Sequence, residues 1–75
     1  MDKTKYLLAK ANGLLDKFRS DEISRRITKE VPLSEQIAIA MDINEKPEKH
    51  KRYQALRASK IQEVDAEIAE IEAQL

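Results

Sequence analysis

Apolar residues recur at helical spacing in three stretches of this chain and alternate in a fourth. Near the start, Tyr6, Leu7, Leu8, Ala11, Leu14, Leu15 and Phe18 trace one side of a helix, with Leu7, Ala11, Leu14 and Phe18 stepping by 4, 3 and 4. Asn12-Gly13 interrupts the stretch and between two strands would make a tight turn. The phase of the apolar side is unchanged across it, so a first helix is expected over about Asp2 to Arg19, carrying ~1 kcal/mol for the glycine. Ser20 followed by Asp21 and Glu22 has the form of an N-cap with acids in the first turn. Ile23, Ile27 and Val31 then lie a turn apart, which predicts a second helix from Asp21 to about Glu30, either separate or continuing the first through a kink. Val31-Pro32 ends it, because the residue before proline avoids the α region.

Ser34 can cap a third helix with Glu35 in its first turn. Ile37, Ile39, Met41 and Ile43 alternate as in a strand, whereas the interleaved Ala38 and Ala40 and the serine cap favour helix. A lone strand needs a partner and no second candidate is present, so a short helix is expected, apolar on nearly all sides and buried in the middle of the domain. Asn44 can end this helix or cap the next, and Pro47 suits the first turn of the last one.

Lys46 to Leu75 reads as one uninterrupted helix of roughly 45 Å at ~1.5 Å rise per residue. In its second half Ile61, Val64, Ile68, Ile71 and Leu75 step by 3, 4, 3 and 4, a heptad seam of β-branched residues ending in leucine. Tyr53 and Leu56 lie on roughly the same side, but the step to Ile61 breaks the register. Arg57 and Lys60 fall near the middle of the apolar side there, where their aliphatic stems can cover apolar surface while the charges reach out. The expected molecule is all-α: a small helical bundle of three to four helices in one domain, with an N-terminal body of two to three short helices over residues 1–45 and a long C-terminal helix over 46–75.

Charge sharpens the reading of that last helix. From Lys46 to Lys60, six bases oppose Glu48 alone, a balance of +5; from Ile61 to Leu75, Glu63, Asp65, Glu67, Glu70 and Glu72 meet no base, a balance of −5. The helix macrodipole favours the reverse order, by ~0.3–1 kcal/mol per charge near an end. An antiparallel neighbour with the same polarity relieves the conflict, and a second copy is the simplest such neighbour. The basic half is therefore expected to pack on the body and the acidic half to face a partner. The expected partner interface comprises Ile61, Val64, Ile68, Ile71 and Leu75, the acids Glu63, Glu67 and Glu70, and the bases Lys49, Arg52, Arg57 and Lys60 that would meet them.

The 75 residues allow one domain, and a single core of this size yields only a few kcal/mol unless disulfides, metal or oligomerisation add to it. The chain has no Cys, which removes disulfides and thiolate metal sites and leaves oligomerisation. A charged fraction of 37%, an apolar fraction of 41% and a single glycine suit a helical chain better than a sheet or a disordered one. Net charge is zero, so nothing draws the whole molecule to nucleic acid or anionic lipid. The longest apolar run, Ile37 to Met41, is far below the ~20 residues of a membrane span, and the N-terminus lacks the apolar segment of a signal peptide. A cytoplasmic or particle-associated protein is expected.

Candidate chemistry is sparse. His50 is the sole histidine and stands among Lys49, Lys51 and Arg52 without a carboxylate pair at ligand spacing. Ser20, Ser24, Ser34 and Ser59 have no His at predictable reach, the carboxylates lie on polar helix sides without an apolar pocket, and one glycine cannot make a phosphate loop. No catalytic residue, metal, cofactor or small-molecule substrate is expected. A small nucleic-acid-binding regulator is the alternative, through Arg25, Arg26, Lys49, Lys51 and Arg52. Against it, the acidic half of the same helix would repel the backbone, and no helix-turn-helix is evident.

From Ile27 to about Lys60 the chain resembles small proteins encoded among phage and prophage tail genes. The resemblance is carried by Arg25-Arg26 before Ile27, by Ser34-Glu35-Gln36-Ile37-Ala38-Ile39, and by Lys46-Pro47-Glu48 followed by Tyr53 and the basic Lys60. An aromatic expected between Ile27 and Ser34 is missing. The resemblance implies a structural or assembly role in a virus particle or its construction, and no catalytic residues. The expected function is thus a helical interaction or assembly module that self-associates through its C-terminal helix or pairs with another helical protein.

Overall fold

Residues 1–42 and 47–75 are described by the computed structural model. They form α1 (Lys3–Ala11), α2 (Leu15–Glu30), α3 (Leu33–Met41) and α4 (Pro47–Ala73), with no strand among the described residues. The alternating run is therefore helical from Ile37 to Met41; Ile43, the capping position Asn44 and Lys46 lie outside the described residues.

Asp2 starts α1 by accepting from the N–H groups of Thr4 (2.9 Å) and Lys5 (3.4 Å), the usual work of an aspartate N-cap. The helix stops at Ala11 rather than running to Arg19. Gly13 takes φ +69°, its N–H donates to Lys10 O at 3.2 Å, and that of Leu14 donates to Ala9 O at 2.8 Å. These two bonds and a left-handed glycine define a Schellman ending. The Asn12 side chain adds a bond to Leu8 O at 2.9 Å. Because α2 begins at Leu15 and continues to Glu30, Ser20 is an exposed mid-helix residue, not a cap. Val31 is extended, with φ −127° and ψ 103°, as its place before proline requires. Pro32 takes the cap position of α3, two residues ahead of the expected Ser34.

The 27-residue α4 is ~40 Å long at 1.5 Å per residue and nearly spans a molecule measuring 47 × 19 × 17 Å. Its C-terminal half lies antiparallel to α2, with Arg19 at Asp65 and Glu30 at Lys60, and α1 packs on α2. Ile23 and Ile27 of α2 meet Val64 of α4 in the core, with Ile61, Ile68 and Tyr53 around them. Tyr6 of α1 is buried and meets Phe18 of α2 edge-on, ring centroids 5.8 Å apart.

The N-terminal half of α4 has thinner cover. There α3 packs through the buried Ile39, anchored by Gln36, which accepts from the Tyr53 hydroxyl at 3.0 Å and donates to Val31 O at 2.8 Å. The expected central, all-round buried third helix is thus a peripheral one with a single buried residue. The radius of gyration, 14.8 Å, exceeds the ~11 Å of a compact chain of this length.

Candidate interaction surface

The seam of α4 is occupied within the chain. Val64 has no exposed surface, Ile71 is buried, and Ile61 and Ile68 are half-buried, while Leu75 is exposed beyond the end of the helix. This reverses the expected roles of the two halves: the acidic half packs on the body, and the basic half is the more open one. The reason lies in α2, whose Ile23 and Ile27 present an apolar stripe to that seam and whose bases meet the acids.

Arg26 donates to Glu63 at 2.8 Å, to Glu22 at 3.1 Å and to both carboxylate oxygens of Glu67, one of them at 2.9 Å. The α-amino group of Met1 also reaches Glu67, at 3.0 Å. Hydrogen bonds from Arg26 and then from that amino group hold the Glu67 carboxyl well below the usual glutamate range, at about 2, and the Arg26 guanidinium is raised in turn. Arg19 forks onto Asp65 at 2.7 and 3.1 Å and lowers its pKa. Lys10 reaches Glu72 at 3.0 Å. Of the acids expected to face a partner, only Glu70 makes no ion pair among the described residues.

The expected bases divide. Lys60 bonds Glu30 at 2.8 Å, and Lys49 lies 3.8 Å from Glu35. Arg52 and Arg57 are exposed and make no ion pair among the described residues, nor does Lys51. Arg25 and Arg26, offered above for nucleic acid, are engaged by Glu22.

The most exposed apolar feature was not singled out from the sequence. Leu33, Ile37 and Met41, one turn apart on α3, are 62%, 53% and 80% exposed. They form a ridge turned away from Ile39, the residue that meets α4. The signal is the spacing of four along Leu33, Ile37 and Met41, hidden because Ala38, Ile39 and Ala40 make the run look apolar on nearly all sides. Across the described residues seven large apolar side chains are exposed and six are buried, so an unusual share of the apolar surface is left uncovered. On the other side of α3 from the ridge, a cleft of about 230 Å³ is lined by Val31, Glu35 and Ile39 and, from α4, by Lys49, Arg52, Tyr53 and Leu56.

The Nδ1 of His50 is buried without a hydrogen-bond partner among the described residues, and no three His, Cys, Asp or Glu among them are placed to hold a metal. No described helix is long and apolar enough to cross a membrane.

Fold and surface together define a class, a small all-helical bundle with a long C-terminal helix and an exposed apolar ridge on α3. No protein-family model matches the chain, and no match is found among curated proteins or solved structures.

Proposed function

We propose that this chain is a non-enzymatic helical interaction or assembly module whose binding surface is the outer ridge of α3. The observation that carries the reading is the alignment of Leu33, Ile37 and Met41 in water. Apolar patches rimmed by polar residues mark protein contacts, and a helix meets another through side chains spaced by a turn. Assembly is the setting that the tail-protein resemblance of residues 27–60 suggests.

The test separates an exposed ridge from a structural one. In the variant Leu33→Ala, Ile37→Ala, Met41→Ala, helix propensity is kept, and little packing is lost at exposed sites. Binding of the dye anilinonaphthalene sulfonate should fall by about half while the melting temperature holds. A drop of more than about 10 °C, equivalent to ~2 kcal/mol in a domain of this size, would make the ridge part of the fold and remove the reading.

Self-association through antiparallel α4 helices is the second reading. Lys51 and Arg52 on the basic half and Glu70 on the acidic half have no ion-pair partner among the described residues, and antiparallel pairing would bring them together across a two-fold axis. With the apolar seam engaged inside the chain, charge is its main support, so rising salt should dissociate the dimer. Light scattering at low salt decides it, a strict monomer ending this second reading.

A further inference from the structure

The cleft between α3 and α4 is a separate feature from the ridge, on the other side of α3. Its apolar walls come from Val31, the buried Ile39, Tyr53 and Leu56, and its charged groups are Glu35, Lys49 and Arg52. An apolar space of ~150 Å³ takes one benzene ring, so the 230 Å³ here holds a single aromatic or branched alkyl group. The Tyr53 hydroxyl already donates to Gln36 at 3.0 Å. Lys49 and Arg52 are therefore the side-chain donors left for an occupant.

The charges of the cleft do not cancel. Lys49 and Arg52 both line it and stand three residues apart on α4, a spacing that makes side chains neighbours. Arg52 is exposed and makes no ion pair among the described residues. Lys49 lies 3.8 Å from Glu35, and both side chains are 46% exposed; that distance is too long for a hydrogen bond. One carboxylate thus faces two cations, and an anion set between them relieves their repulsion.

We propose that this cleft binds a small amphiphilic carboxylate, its compact apolar body against Ile39, Tyr53 and Leu56 and its carboxylate on Arg52 and Lys49. A planar guanidinium suits that head group, which it meets with two parallel hydrogen bonds. A peptide fits less well, because the cleft offers no backbone edge to read. Ile39, Arg52, Tyr53 and Leu56 lie inside helices, where backbone groups bond along the helix, and the carbonyl of Val31 already accepts from Gln36 at 2.8 Å. A nucleic acid would meet the bases and leave the apolar walls in water. The proposal goes beyond the ridge reading and does not depend on it, since Leu33, Ile37 and Met41 take no part.

Amide NMR spectra of the full chain, titrated with naphthylacetate, test it beside the neutral naphthylacetamide, the cationic naphthylethylamine and plain acetate. The acid should bind with a dissociation constant on the order of 1 mM, move the amides of Ile39, Arg52 and Leu56 most, and weaken as salt rises. Both naphthyl twins should bind at least about fivefold more weakly, the worth of one exposed charge pair, and acetate alone should not saturate. Arg52→Gln should cost about the same fivefold at an unchanged melting temperature, because the side chain is exposed. Ile37→Ala, on the far side of α3, should bind the acid as the parent does. Equal binding of either twin, unchanged binding in Arg52→Gln, shifts centred on the ridge, or no saturable binding of the acid would overturn the proposal.

Discussion

Glu67 shows how one side chain ties the acidic half of α4 to the body. Its side chain is 29% exposed, and hydrogen bonds from Arg26 and the Met1 amino group outweigh the desolvation that burial imposes, lowering the carboxyl from 4.5 to about 2. A carboxylate whose folded pKa lies below its unfolded one stabilises the fold fully above the unfolded value, and that contribution disappears as pH falls toward the folded one. Glu22 and Asp65 are lowered as well, so all three act in the same direction. At 1.36 kcal/mol per unit, Glu67 supplies at most about 3 kcal/mol, less once solvent and salt screen it. Urea unfolding should therefore show stability falling between about pH 5 and pH 2, and Glu67→Gln should be less stable at neutral pH with a shallower acid slope. Parallel slopes in the two proteins would show that the Arg26 contact contributes nothing. The charge halves and the apolar seam of α4 were legible residue by residue. That the seam's acids belong to Arg26 and Arg19 was not, because periodicity reports which face a residue occupies and not which element comes to lie on it.

Among the elements, the joint between α1 and α2 depends most on one residue. Gly13 sits at φ +69° with nothing within 4 Å of a Cβ placed there, so a side chain would meet no neighbour and the cost is conformational. Gly13→Ala should lose ~1 kcal/mol to the left-handed backbone, or about 4–8 °C in melting temperature. Asn at the same position should lose less, since it tolerates that conformation. If Gly13→Ala melted like the parent, the helix would be passing through this point, as the uninterrupted stripe of Leu7, Ala11, Leu14 and Phe18 suggested. In the structure Leu7, Ala11 and Leu14 are exposed, and Tyr6 is the buried residue of α1. The apparent continuity of phase is a coincidence of spacing across a turn. The glycine just past a run of helix formers was the better signal. Two element boundaries followed from the backbone chemistry of proline alone: Val31 before Pro32, and Pro47 at the first described turn of α4.

At the scale of the whole molecule, the two ends of α4 differ in what holds them. One end combines Ile23, Ile27 and Val64 with the Arg26 and Arg19 ion pairs. The other rests on Ile39, on Gln36 with its bonds to Thr28, Val31 and Tyr53, and on the 3.8 Å contact of Lys49 with Glu35. Local opening follows the number of apolar contacts that must break, so the ends should not open together. Hydrogen exchange of the native protein should show the amides of α3 exchanging through a low-energy opening, while those of α2 near Ile27 and of α4 near Val64 exchange only with global unfolding. The same imbalance bears on function, because a helix held by one buried residue can shift to meet a partner at little cost and gains order when the ridge is covered. Adding a ligand that binds the α3–α4 end should slow exchange in α3 selectively. Uniform protection of all four helices in the free chain would mean that α3 is held as firmly as the core, and the end that bears the exposed ridge would then be rigid rather than adaptable.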